Sequence, residues 1–412
     1  GTVHTRSNMK EVVVVSAVRS PIGAFGGSLK ELQAPELAAQ VMKAAVERAG
    51  IDAHLIGDVR FGNCLEPPKA LNIARVAMLL AGIPYTVPAV TINRVCTSAM
   101  EAIVSGSLQI ETGFTDIVLA GGVESMSNVP YCVENARWGV RLFDGVFLDM
   151  LTTGLHAGSH FFPHPVTGKH YIMGETAEFL NEKHGFTREQ QDEVALRSQN
   201  NAERATKEGD FKDEIIPIEV PGRKGEVSLV EKDEHFRPGL TMEDLGKLKP
   251  AFRKDGTVTA GNSSGINDGS AAMILMSSEK ADELGIKPIA KLSGYGMGCS
   301  EPHLMGESPI PAVTNLIERT SESFDQWDLV EVNEAFASQY LAVEKGLEPL
   351  GFDRDKTNIN GSGIGLGHPV GCTGARIIIT LLHALKNRGM TKGMATLCGG
   401  GGISIATSWE LL

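Results

Sequence analysis

Apolar runs of strand length alternate along this chain with stretches of helical spacing. Residues 11–17 (EVVVVSA) form a continuous β-branched run, the pattern of a strand covered on both faces of a mainly parallel sheet. Apolar positions recur at helical spacing over 35–49 and 98–110. Short strands are predicted at 87–93 and at 117–120, the latter ending in Gly121-Gly122. The theme returns later as strand 328–331, helix 335–344, strand 357–360, helix 374–385 and strand 393–398. Such alternation marks an α/β fold. Leu119-Ala120-Gly121-Gly122 and Leu397-Cys398-Gly399-Gly400 each set small residues after an apolar strand, which predicts two related α/β halves without a short-period repeat.

Between the halves the pattern degrades. Trp, His, Pro and Gly cluster over 138–170, a charged helix is predicted over 187–209, and 217–255 is polar and loop-like. A long insertion of this kind usually serves as a lid or binding unit, so the substrate-gripping surface is expected there. The predicted division is 9–128 for the N-terminal half, completed by about 262–286, then 129–261 for the insertion and 287–412 for the C-terminal half.

Composition narrows the function. A chain of 412 residues with 42% hydrophobic content can bury a large core in two or three domain-sized units. A formal charge of -12 opposes nucleic-acid binding, and an anionic substrate must find a local basic patch. No apolar run reaches the roughly 18 residues that span a membrane. The six cysteines lie far apart with no Cys-x-x-Cys, which fits neither a zinc cluster nor a disulfide framework; reduced thiols in a cytoplasmic protein are expected. The opening GTVHTRSN is polar and reads as a tail preceding Met9.

Three motifs carry chemistry. In Asn93-Arg94-Val95-Cys96-Thr97-Ser98 a cysteine stands where a predicted strand meets a predicted helix. There the helix dipole favours a thiolate and free N–H groups can hold an oxyanion. The glycine-rich 361–369 segment (GSGIGLGHP) sets His368 at a helix start; its spacing is not Gly-x-Gly-x-x-Gly, and no acidic residue follows at the ribose distance, which disfavours a dinucleotide site. Cys398 precedes four glycines, a density that packing alone hardly explains, although a tight turn between strands would also use it. Two cysteines and a histidine at glycine-flanked strand ends suggest one site holding a nucleophile and an acid/base.

Taken together, VVVVSAVRSPIGAFGGSL, NRVCTSAMEAI, LAGGVESMS, GTVTAGNSSGINDGSAA, VEVNEAFA, GSGIGLGHPVGCTGAR and ATLCGGGGIS resemble the thiolase family in the family's own order, from residue 11 to the C-terminus. The resemblance implies two similar βαβ halves in five αβαβα layers, plus a loop domain that binds CoA. It implies reversible Claisen condensation of two acetyl-CoA to acetoacetyl-CoA plus CoA, or thiolysis of 3-ketoacyl-CoA, by ping-pong acyl transfer. By the same resemblance Cys96 matches the acylated nucleophile, and His368 matches the residue that activates it and helps hold the thioester oxygen of the second acyl group. Cys398 matches the acid/base at the substrate α-carbon. Gly400 with the Cys96 N–H matches an oxyanion hole, and Asn333 matches the holder of a catalytic water.

Ser264 matches a residue near the pantetheine arm. Arg223 and Lys224 are candidates for the nucleotide phosphates, or simply a solvated basic turn. Met173, Phe252, Ala260, Met305 and Phe336 are candidates for the acyl end. CoA enters as substrate and product, with no permanently bound cofactor and no metal, and a homodimer or homotetramer is expected.

Two departures stand out. Ile172-Met173-Gly174 occupies the place of the His-Met-Gly that biosynthetic members usually carry. The preceding stretch holds His156, His160, His164 and His170; no pair stands at i, i+4 in a helix-like context, so surface histidines are expected rather than a metal site. Rival readings are a broad-range degradative 3-ketoacyl-CoA thiolase and a non-catalytic acyl-CoA carrier. A carrier should have lost one of Cys96, His368 or Cys398. A decarboxylating synthase would lack the second cysteine.

Overall fold

The computed structural model describes residues 9–412, so the tail reading for 1–8 lies outside the described residues. Nine strands run through one sheet: β1 (Val12–Arg19), β2 (Asp58–Gly62), β3 (Ala89–Ile92), β4 (Ile117–Ser125), β5 (Asn267–Ser277), β6 (Ala290–Cys299), β7 (Leu329–Val332), β8 (Lys392–Gly399) and β9 (Ile403–Leu411). Their order is β7-β8-β9-β6-β1-β5-β4-β2-β3, with Gly23–Ala24 paired to the start of β5 as a tenth strand. The path divides into two leaves, joined where Val13 and Val14 of β1 pair with Lys291 and Ala290 of β6.

Alternate faces of the strands explain the layers. Val13 and Val15 turn to helices α1 (Ala34–Ala49) and α2 (Ile73–Leu80), whereas Val12 and Val14 turn to α3 (Ser98–Glu111). In the other leaf Leu329, Ala395 and Leu397 face the middle, while Val330, Val332 and Met394 face helices on the far side. Those outer helices are α7 (Pro309–Thr320) and α8 (Ala337–Leu347), and α9 (Val370–Arg388) lies beside α3 in the middle layer. The five layers implied by the resemblance are therefore present.

Three expectations about the sheet change. The sheet is mixed: β1 is antiparallel to both neighbours, and its unbroken apolar run reflects helices on both faces rather than parallel pairing. The strand at 117–120 continues through Gly121-Gly122 to Ser125. A Cβ on Gly122 would lie 1.9 Å from the Gly371 carbonyl oxygen, so glycine there lets α9 settle on β4. No strand forms at 357–360. Thr357 makes one isolated bridge to Val330, and the Asn358 side chain then accepts from the Val332 N–H (2.9 Å) and donates to the Val332 carbonyl (2.7 Å), standing in for backbone pairing.

The segment between β4 and β5 carries α4 (Met150–Gly154), α5 (Met173–His184) and α6 (Arg188–Glu208). Helix α6 follows the predicted limits because Thr187 accepts from the Gln190 N–H at its start and Gly209, left-handed at φ 78°, ends it. The stretch at 217–255 is not wholly loop: Ile218–Pro221 pairs with Val227–Val230, and Met242–Gly246 forms a short helix. Trp138, Leu142, Phe143 and Phe147 stand exposed in this segment. No described helix is long and apolar enough to cross a membrane.

Candidate active site

The chain enters α3 through a strained corner. Val95, a β-branched residue, sits at φ 50°, a left-handed conformation such residues rarely adopt. Its surroundings hold it there. The Asn93 carboxamide accepts from the Val95 N–H (3.0 Å), and Cys64 Sγ (2.9 Å) and Ser98 Oγ (2.5 Å) both donate to the Val95 carbonyl. The corner turns Cys96 into a cavity of about 410 Å³, where its own N–H and that of Gly400 favour the thiolate form of its sulfur.

That cavity gathers most of the predicted residues. Cys96, His368 and Cys398 line it together with Met173, Phe252, Ala260, Ser264, Met305 and Phe336. Ile172, Phe25, Leu155, Ile266 and Val370 complete an apolar wall. Arg223 and Lys224 do not reach the lining; they occupy the exposed turn between Ile218–Pro221 and Val227–Val230. Asn333 is fully buried at the end of β7, and neither atom of its carboxamide has a protein hydrogen-bond partner among the described residues.

Cys398 is the penultimate residue of β8, and the three glycines after Gly399 form the tight turn into β9. Both the turn reading and the cavity reading are therefore met. Gly400 must stay small, since a Cβ would lie 2.5 Å from Met173 Cε and 2.6 Å from Ala157 Cβ.

Burial dominates the electrostatics. The Cys96 thiol is pushed up to about 11, because desolvation outweighs the two N–H donors, which corrects the expectation of a thiolate stabilised by the helix start. Cys398 is likewise raised, by burial first and then by the charge of Cys96. His368 is lowered to about 3 by desolvation and by Arg376. At neutral pH the three groups rest uncharged. Glu124, fully buried, is raised to about 7 by desolvation.

Residues without an advance signal hold the histidine. Asn267 Oδ1 accepts from the His368 N–H (2.9 Å), and Thr373 Oγ1 lies 2.6 Å from His368 Nδ1 and 3.0 Å from the Pro369 carbonyl. Turned to that carbonyl, the hydroxyl accepts from Nδ1–H and leaves Nε2 with a lone pair. Turned to the ring, it donates to Nδ1 and makes Nε2–H a donor. Glu124 accepts from the N–H groups of Cys64 (2.9 Å) and Gly371 (3.0 Å), tying the cysteine corner to α9. Only the threonine's position in the first turn after Pro369 could have marked it.

The chain that carries this cavity matches known proteins over nearly its whole length. Residues 12–279 match the model of the thiolase N-terminal domain and residues 286–410 that of the C-terminal domain. The chain belongs to the thiolase family. It is 46% identical over 405 residues to an acetyl-CoA acetyltransferase of Syntrophomonas wolfei, covering 98% of this chain and 100% of that protein. A crystal structure of the Bacillus anthracis acetyl-CoA acetyltransferase superposes with a TM-score of 0.93 at 49% identity, covering 98% of this chain and 100% of the other. Human mitochondrial 3-ketoacyl-CoA thiolase superposes at 0.92 with 41% identity over 98% of this chain and 100% of that one. This thiolase is an acyltransferase.

Proposed function

We propose that this thiolase works by ping-pong acyl transfer through Cys96, with acetyl-CoA and acetoacetyl-CoA as good substrates. The reading rests on Cys96, His368 and Cys398 sharing one apolar cavity. His368 Nε2 takes the Cys96 proton as the sulfur attacks the thioester carbonyl, then returns it to the departing CoA sulfur. The N–H groups of Cys96 and Gly400, already aimed at the nucleophile, are placed to hold the carbonyl oxygen of the acyl-enzyme.

In the second half, Cys398 first releases its resting proton to solvent, against the burial that holds the thiol protonated, and regains it when the cycle closes. Cys398, as thiolate, takes the α-proton of a second acetyl-CoA. The carbanion attacks the acyl carbon, Cys96 leaves as thiolate, and the proton on Cys398 returns to it. Once water has exchanged the ring proton from Nδ1 to Nε2, Thr373 turns to donate to Nδ1 and His368 Nε2–H becomes a donor for the enolate oxygen, beside a water held by Asn333. The orphaned Asn333 carboxamide supports that water. Thiolysis is the reverse.

Ser264 in the lining is assigned to the pantetheine arm, and the exposed cations Arg223 and Lys224 to the nucleotide phosphates. The exposed Trp138, Leu142, Phe143 and Phe147 support a homodimer or homotetramer, and six free thiols support a cytoplasmic setting. A wider acyl range has one observation in its favour: the apolar Ile172 in the cavity wall. The test is incubation with labelled acetyl-CoA followed by peptide mass mapping. Label on Cys96 is expected; label on Cys398, or none, overturns the assignment.

A further inference from the structure

The four histidines of residues 156–170 do not behave alike. His164 Nδ1 accepts from the N–H groups of Val166 (3.1 Å) and Thr167 (3.2 Å), closing a turn, while its ring packs on Phe179 and His303. The other three converge. Ring centroids lie 4.8 Å apart for His156 and His160, 5.1 Å for His156 and His170, and 4.1 Å for His160 and His170, with one nitrogen of each ring within 4.8 Å of the others.

The local structure builds this convergence. The chain leaves α4 through successive turns that carry His156 and His160. Buried Ser159 between them donates to the Tyr171 carbonyl (2.8 Å) and accepts from the Tyr171 N–H (2.9 Å), fixing His170 alongside. His156 Nδ1 lies 2.8 Å from the Thr152 carbonyl, which can only accept. Nδ1 therefore carries the proton and Nε2 keeps its lone pair, the outer hydrogen bond that metal-bound imidazoles typically make. The ring nitrogens of His160 and His170 bond no described residue, and the Glu134 carboxylate is near enough to act on His160.

We propose that His156, His160 and His170 bind one divalent transition-metal ion of the zinc type, with water or Glu134 as fourth ligand. Three imidazoles suit Zn²⁺, Ni²⁺ or Cu²⁺ and discriminate against Mg²⁺ and Ca²⁺. A tetrahedral ion at Zn–N of about 2.0–2.1 Å needs nitrogens roughly 3.3 Å apart, a spacing that small rotations of the exposed rings reach. The site bears on the acyl pocket, because Leu155 and Ile172, adjacent in sequence to His156 and near His170, line the cavity and the Leu155 carbonyl accepts from the Met173 N–H (3.0 Å). A bound ion clamps that wall.

The experiment titrates metal-free, full-length protein with Co²⁺ as a coloured stand-in for Zn²⁺, following the tetrahedral absorption bands. To keep the active-site thiols from counting, it is repeated on Cys96→Ser/Cys398→Ser protein. One ion per chain is expected in both. In His160→Ala/His170→Ala, whose replaced rings are exposed, affinity falls at least tenfold while the metal-free thiolase rate is unchanged; losing even a hydrogen-bond partner of a metal ligand typically costs about 10–100-fold. Binding that survives this double variant, or that vanishes with the two cysteines, overturns the proposal, as does no uptake at micromolar Co²⁺. None of these outcomes depends on which residue is acylated.

Discussion

In the N-terminal half the helix of the middle layer begins beside Cys96; in the C-terminal half the matching helix begins beside His368. The inner strands of the two frames agree, although edge strand β3 has only the isolated Thr357–Val330 bridge as its counterpart. In the first, β4 lies between parallel β2 and antiparallel β5; in the second, β8 lies between parallel β7 and antiparallel β9. They are held differently, however. Cys96 is presented by a strained backbone corner that side chains lock from outside, whereas His368 hangs on Asn267 from the other half and on one hydroxyl of its own helix. In the mechanism proposed above, one half supplies a nucleophile whose position is fixed, and the other a base whose proton can be switched, plus the second thiol.

The largest test of this division is Cys96→Ala, which should abolish both acyl-enzyme formation and thiolysis; any retained thiolysis above background would break the comparison. Next comes Cys398→Ala. It should still accept an acetyl group while condensation and thiolysis fall by roughly 10²–10⁴-fold, the usual contribution of a positioned acid/base. Near-normal thiolysis in that variant would make Cys398 structural.

Thr373→Val should cost about tenfold in kcat/KM, the rate equivalent of one hydrogen bond, with Cys96 labelling slowed rather than lost. In the unaltered enzyme the acylation rate should show no titration near the ordinary histidine value of about 6.5. His368 gains its proton only towards pH 3 and Cys96 loses its own only towards pH 11, so the rate falls at the acid end and stays level between. A limb near 6.5 that persists in Glu124→Gln would mean that water reaches the imidazole, since Glu124 itself is raised to about 7.

The smallest effect concerns the insertion. Ile172→His should lower the specificity constant for longer 3-ketoacyl-CoA relative to acetoacetyl-CoA by a few fold per two carbons, since each buried methylene is worth about 0.8 kcal/mol at most. A steady rise from four to ten carbons in the unaltered enzyme, with acetoacetyl-CoA poorest, would favour the broad-range reading.

The frame was legible in the sequence because covered strands write themselves as apolar runs and helices as spaced ones, as at 11–17 and 98–110. Its exceptions have physical causes. Gly121-Gly122 reads as a stop but serves close packing, and at 357–360 a side chain replaces a ladder, leaving no pattern to read. The cysteines and His368 stood out through their glycine-rich settings. Thr373, Asn267 and Glu124 act by contacts across the fold, which one-dimensional spacing does not show. The convergence of three histidines was hidden for the same reason: turns rather than a helix bring them together.

Strand β5 occupies the middle of the N-terminal leaf, between β1 and β4, yet follows the whole insertion in sequence. During synthesis the ribosome therefore delivers β1, β2, β3 and β4 long before the strand that joins them. Over the 142 residues from Ser125 to Asn267, growth at about 5–20 residues per second imposes a wait of roughly 7–28 s. For that interval β1 and β4 are two unpaired apolar edges on a nascent chain, and they are the surfaces a chaperone must shield until β5 emerges.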